Sequence, residues 1–297
     1  MDIRAIFMGV AFAVMWSSAF TSARIIVASA PPLTTLAIRF AIAGLIAIAI
    51  ARLLGQDWRL TKGQWRATLI FGLCQNALYL GLNFVAMQTV EASVAAIIAS
   101  SLPLWVALAG RAFLGDRLNA AGLVGLLAGF AGVVLIMGSR ISAGVDLGGL
   151  ALCGLGVLAL TLATLLVRGA SSGGNVLMIV GLQMLVGSVI LAFVGLGSET
   201  WVVDYSWTLA AAFTYTVLVP GLAATWVWFT LVNRIGSVRA STFHFLNPFL
   251  GVAIAALLLG EQITRIDYLG VAIITAGILV VQISKRSPGR VKSLTGT

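Results

Sequence analysis

The sequence predicts an all-α polytopic membrane protein whose ten transmembrane helices form two inverted five-helix repeats. Scarcity of charge, long apolar runs and an internal repeat lead to this reading. Of 297 residues, 60% are hydrophobic and 9% charged, and mean hydropathy is +1.09. A soluble domain carries about 25% charged residues, so a surface this poor in charge must face lipid. The apolar runs lack the alternation of a membrane barrel's strands. Helices also satisfy every backbone N–H and C=O inside hydrocarbon.

A spanning helix needs about 20 mainly apolar residues. Ten segments qualify: Ile6–Ala28, Leu33–Leu54, Ala67–Met87, Ser93–Leu114, Ala120–Met137, Gly148–Val167, Val176–Leu196, Leu209–Val232, Val238–Gly260 and Ile266–Ile283. The first is too long for a signal peptide and has no clear small-x-small cleavage site, so it counts as a span. With the N-terminus in the cytoplasm, fourteen of the 18 Lys and Arg fall on that side. Both termini are therefore expected to be cytoplasmic. The net charge of +9 then reflects basic loops. No basic stripe with interleaved aromatics suggests nucleic acid as a partner; the lipid bilayer is the expected surrounding. Cys74 and Cys153 sit in apolar runs and read as small buried hydrophobes.

Displacing the chain by 145 residues lays Ala95, Pro103, Leu114, Gly115, Gly125, Ala131 and Gly132 on Ala240, Pro248, Leu259, Gly260, Gly270, Ala276 and Gly277. Asp116 falls on Glu261. The halves are residues 1–140 and 141–284, followed by a basic cytoplasmic tail, 285–297. Because five is odd, the second half must enter the membrane from the other side. Loop charge agrees, placing Gly115-Asp116 inside and Gly260-Glu261 outside. Inverted repeats are a hallmark of secondary transporters, whose halves rock about a central site.

The first-span stretch Met15–Phe20, the run Ser100-Ser101-Leu102-Pro103, and the twice-seen Gly-acid helix end before a Gly-rich helix carry a family resemblance. Through them the chain resembles EamA-type members of the drug/metabolite transporter superfamily over roughly residues 4 to 284. The resemblance implies a central cavity lined by helices one to four and six to nine, with five and ten as scaffold. It also implies small-metabolite transport, most similar in kind to bacterial exporters of amino acids, aromatic ones included. The expected place is the bacterial inner membrane. Nucleotide-sugars, sugars, polyamines or drugs are the alternative cargoes.

Polar side chains within a span are costly and face the bundle interior or a watery cavity. Gln75, Tyr79 and Asn83 lie at i, i+4 and i+8 on one face, with Asn76 beside them; they line a cavity or join helices by hydrogen bonds. His244 and Asn247 precede Pro248, and His244 is either ligand-facing or a satisfied structural group. Thr161 and Thr164 either face the cavity or bond their own helix's carbonyls. Met15 and Ser101, from the motifs above, complete the polar and flexible candidates for substrate binding. The aromatic candidates are Trp16 and Phe20, one turn apart, with Trp105 and Trp226. Convergence of these rings on a cavity would suit bulky apolar cargo; otherwise they face lipid.

Pro103 and Pro248, at matched positions, are expected to remove an i→i−4 hydrogen bond and kink their helices, as static shape or as gates. Gly122, Gly125, Gly129 and Gly132 give span five a small-residue face, for packing within a monomer or for a homodimer. No Asp or Glu lies deep in a span, which disfavours obligatory proton exchange for cations of the kind that related drug antiporters perform through an embedded carboxylate. Arg39, Arg24 and His244 are the embedded ionisable groups. An embedded Arg is able to meet a substrate carboxylate or to neutralise helix-end carbonyls. Ser241 and His244 superficially pair a nucleophile with a base, but no G-x-S-x-G elbow occurs, so no enzyme is expected. No metal or cofactor is expected either. The expected function is export of small metabolites, chiefly amino acids, by facilitated alternating access.

Overall fold

The structure, a computed structural model, describes residues 3–115, 119–166, 173–235 and 240–284. Asp116, Arg117, Arg168, Arg239, the tail 285–297 and the side chains of Phe229 and Ser241 lie outside the described parts. The first eight helices are α1 (Ile3–Val27), α2 (Pro32–Leu53), α3 (Lys62–Ala86), α4 (Ala92–Leu114), α5 (Ala120–Ser142), α6 (Leu147–Leu166), α7 (Val176–Ser198) and α8 (Trp207–Val232). Then come α9, a 3₁₀ stretch at Ser241–Leu246 continuing as Asn247–Leu259, and α10 (Arg265–Ser284). Nine of these are long and apolar enough to cross a membrane. The described part of α9 is shorter, because residues 236–239, where its predicted span begins, are not described.

The halves interlock. α2 packs on α7, α4 on α9 and α5 on α10; α1 inserts against α8 and α9, as α6 does against α3 and α4. Lipid supplies no hydrophobic drive between helices, so close backbone contact must hold them. Glycine provides it. A Cβ on Gly277 would lie 2.6 Å from the Gly125 carbonyl oxygen, and one on Gly132 would lie 2.9 Å from that of Gly270. The repeat exchanges these two contacts, since 125 maps to 270 and 132 to 277. The small-residue face of α5 is thus used within the chain.

Helix ends are also capped across the halves. Glu199, after α7, accepts the N–H groups of Leu33 and Thr34 at 2.8 Å each. Glu261, after α9, accepts those of Ala92 and Ser93 at 2.8 and 2.9 Å. Gln56, after α2, accepts that of Met178 at 3.0 Å. Orphan donors at a helix start are satisfied in each case, and the carboxylates complement the positive helix end. Gly115 and Gly260, both at φ 69°, end α4 and α9 in the left-handed region that glycine enters without strain.

The prolines depart from the sequence reading. α4 breaks at Ser101 and restarts at Leu102, and the second part of α9 starts at Asn247, so Pro103 and Pro248 each lie in a first turn. There the missing N–H is one the helix would leave unpaired anyway. Neither proline is a mid-helix kink; each begins a new helical segment.

Gly277→Leu is expected to lower stability by about 1–3 kcal/mol through overpacking, read as a lower unfolding temperature in detergent. Gly138→Ala, whose new methyl meets nothing within 4 Å, should leave that temperature unchanged.

Candidate functional site

Two helices widen at matched places. Gly72–Leu80 of α3 and Val217–Ala223 of α8 are wound as π-helix, and their first residues are related by the same 145-residue displacement. π-turns are rare and often mark functional sites. Between them lies a cavity of about 70 Å³ enclosed by α1, α2, α3, α7 and α8. That is small beside the roughly 300–1,000 Å³ of most ligand sites, so cargo must open it further.

From the first half the cavity takes the polar wall of α3, with Gln75, Asn76, Tyr79 and Asn83, and the rings of Trp16, Phe20, Phe40 and Phe84. From the second it takes Met184, Thr216, Pro220, Gly221 and Thr225. The Asn76 amide donates to the Gln183 carbonyl at 2.8 Å, and that of Asn83 to the Tyr79 carbonyl at 2.7 Å. Asn83 Oδ1 is buried without a partner among the described residues. α6 reaches this wall through Gly156, where a Cβ would lie 2.9 Å from Asn83 Nδ2.

Arg39 is the charge of the site. It is 6% exposed, and its Nε donates to the Thr216 carbonyl at 3.3 Å, where α8 begins to widen. Its carbon Cζ lies 5.0 Å from the Phe40 ring centroid. Among the described residues its two terminal nitrogens have no protein partner, and no carboxylate lines the cavity. Gly221 leaves room beside them: a Cβ there would sit 3.7 Å from Nη2. A buried charge without a counter-ion is costly, and planar guanidinium donors match a carboxylate.

Toward the N-terminal end of α1 an aromatic cluster adjoins the cavity through Trp16. Phe12 lies 4.7 Å from Trp228 and 5.7 Å from Trp16, centroid to centroid. His244 stands edge-on to Phe12 at 5.3 Å and to Trp16 at 6.4 Å, and is steeply inclined to Trp228 at 5.1 Å. Its Nδ1 accepts from the Asn247 amide at 3.0 Å. At the opposite face Arg24 donates to the carbonyl of Met87, a lining residue. There Arg140, ending α5, binds Glu91 at 2.7 Å and Asp267 of α10 at 2.8 Å. Burial chiefly holds the Glu91 carboxyl above its usual value, outweighing Arg140, with Glu261 and Asp267 acting in the same direction as burial.

Six of the predicted binding residues, Trp16, Phe20, Gln75, Asn76, Tyr79 and Asn83, thus meet at one cavity. The other eight lie elsewhere. Trp105 stacks edge-on with Phe130 at 4.9 Å. Thr161 and Thr164 donate to the carbonyls of Val157 and Leu160, and Ser101 to that of Ile98. Trp226 is 60% exposed and is not among the cavity's lining. Met15 is outside the lining, and His244 and Asn247 belong to the aromatic cluster. α4, α6 and α9 likewise back the cavity without lining it. Sequence reasoning left Arg39 outside its binding set and missed the second-half lining. The 145-residue register was the available signal: it maps Arg39 to Met184, Gln75 to Pro220 and Asn76 to Gly221, all of which line the cavity.

Ten helices in two inverted repeats around a central cavity define a membrane-embedded protein of the secondary-transporter kind. The chain belongs to the EamA-like transporter family, which matches residues 3–138 and again 147–283. It is 26% identical to the uncharacterized transporter YvbV of Bacillus subtilis (strain 168), over 92% of this chain and 90% of that protein. It is also 26% identical to the uncharacterized inner membrane transporter YedA of Escherichia coli (strain K12), over 92% and 88%. Protein PecM of Dickeya dadantii (strain 3937) is 24% identical over 84% and 83%. A crystal structure of a protein 20% identical to this chain has a TM-score of 0.66, covering 96% of this chain and 99% of that one, which shows the shared fold.

Arg39→Met is expected to raise the unfolding temperature, because an apolar side chain of similar length relieves an uncompensated charge; related replacements give about 1–4 kcal/mol. A lowered temperature would mean that the guanidinium is compensated within the fold.

Proposed function

We propose that this protein exports small metabolites, chiefly amino acids with bulky apolar side chains, across the bacterial inner membrane by alternating access. The observation that carries the reading is the Arg39 guanidinium, without a counter-ion among the described residues, in a cavity lined by aromatic, amide and aliphatic side chains between inverted halves. A carboxylate of the cargo would complete the Arg39 hydrogen bonds, while Trp16, Phe20, Phe40 and Phe84 would cover an apolar side chain. Gln75 and Tyr79 offer uncharged hydrogen-bonding groups to the rest of the cargo. Relatives named as transporters, one of them as an inner membrane transporter, support the direction of this reading.

Closure then alternates between two faces. The Phe12–Trp16–Trp228–His244 cluster joins α1 to α8 and α9 on one side of the cavity. The Arg140 ion pairs and the Arg24–Met87 contact tie the other. With no carboxylate among the described lining residues to carry a proton, cargo moves down its own gradient without obligatory proton coupling.

Purified protein in liposomes preloaded with labelled phenylalanine or leucine should release label without a pH gradient, with unlabelled substrate competing. Tyr79→Ala and Gln75→Ala should each slow release by about fivefold, the worth of one hydrogen bond of about 1 kcal/mol. Absence of release for every amino acid, from vesicles holding folded protein, would remove the amino-acid assignment. Proton flux in step with release would overturn uncoupled transport.

A further inference from the structure

The balance of charge around the cavity points beyond amino acids. A zwitterion brings one negative and one positive charge, and the described lining residues offer an oppositely charged partner to only one of them. Arg39 supplies a buried cation with two terminal nitrogens open to a ligand. The buried or half-buried acids of this region are committed elsewhere. Glu199 caps α2 and Glu261 caps α4. Glu91 and Asp267 hold Arg140. At the Met87 end of the cavity, Arg24 adds a second positive charge rather than a counter-ion.

An ammonium group entering this space would meet no anion among the described lining residues, only dipoles and rings: the Gln75 amide, the Tyr79 hydroxyl, the unpartnered Asn83 Oδ1 and the side chains of Trp16 and Phe20. It would also feel repulsion from Arg39 in a medium less polarisable than water, where like charges a few ångströms apart interact strongly. Removing the amine from the cargo removes that penalty and keeps the carboxylate contact. We therefore infer that the cavity takes organic monocarboxylates with an apolar or aromatic body and no amine, and binds them more tightly than the corresponding amino acids. This rests on the cavity being the transport site and adds a cargo class to the one proposed above.

Three ligands that share one skeleton test it: 3-phenylpropanoate, phenylalanine and phenethylamine. Binding is measured by displacement of labelled 3-phenylpropanoate from protein in lipid nanodiscs at neutral pH, with empty nanodiscs as the blank. 3-Phenylpropanoate should bind at least about tenfold more tightly than phenylalanine, a difference of about 1.4 kcal/mol, and phenethylamine should not displace it. Arg39→Gln should abolish the preference for the acid, and Arg39→Lys should restore part of it. If Arg39→Gln fails to fold, the order of the three ligands on the unaltered chain still decides. Phenylalanine binding as tightly as the acid, displacement by the amine, or no saturable binding of the acid would each overturn the inference. Amino-acid release from liposomes is measured separately, so the transporter reading stands or falls without this result.

Discussion

Two backbones touch where Gly125 meets Gly277 and again where Gly132 meets Gly270, with no side chain between them. Everything else in the fold depends on contacts of this kind. In lipid, burying a leucine against another helix gains little, because the tails it leaves are as apolar as the helix it joins. Close approach of helices, with the dispersion contacts it allows, must therefore hold α5 to α10, and the same device holds α2 to α7 through Gly44 and Gly181, where a Cβ on either would lie 2.9 Å from the other's carbonyl oxygen. These pairs join one half to the other. The scaffold that results leaves the remaining helices to surround a cavity, and crossed caps such as Glu199 on α2 and Glu261 on α4 fix the helix starts around it.

Symmetry of the backbone is combined with asymmetry of the lining. Both halves carry a π-helical stretch at the matched place, yet one presents Gln75, Asn76 and Tyr79 where the other presents Pro220, Gly221 and Ala224. The amide-bearing wall and Arg39 come from the first half, while the second contributes Met184, Pro220, Gly221 and two threonines, Thr216 and Thr225. A two-fold scaffold thereby holds a one-sided site, which suits a ligand with a charged end and an apolar body. Arg39 is a local conflict, a buried cation without a counter-ion among the described residues, and such conflicts concentrate where function requires them.

Most of the architecture was legible because its causes are local. Apolar runs of spanning length marked the described helix ends to within about five residues, with the predicted start of the ninth span outside the described residues, and the Pro103–Pro248 and Gly115–Gly260 pairs exposed the repeat. Gln75, Tyr79 and Asn83 were legible as one face because polar residues at i, i+4 and i+8 are conspicuous in an apolar helix. What escaped depends on backbone detail or on contacts between distant helices. Nothing in the residues of Gly72–Leu80 and Val217–Ala223 announces a π-turn, since the two stretches share almost no side chains. The prolines were visible, but whether each interrupts a helix or starts one depends on the break before it. Trp105 and Trp226 could not be assigned by spacing, because an aromatic ring reads alike toward lipid, Phe130 or a cavity.

In the proposed mechanism one cavity between inverted halves opens in turn to either side of the membrane. It is tested most directly by placing a single cysteine at Gln75 in a chain whose Cys74 and Cys153 are replaced by alanine. A membrane-impermeant maleimide is then applied to oriented vesicles from one side or the other. Alternating access requires labelling from both sides, slowed in both cases by saturating cargo. Labelling from one side alone under every condition, or from neither, would contradict it.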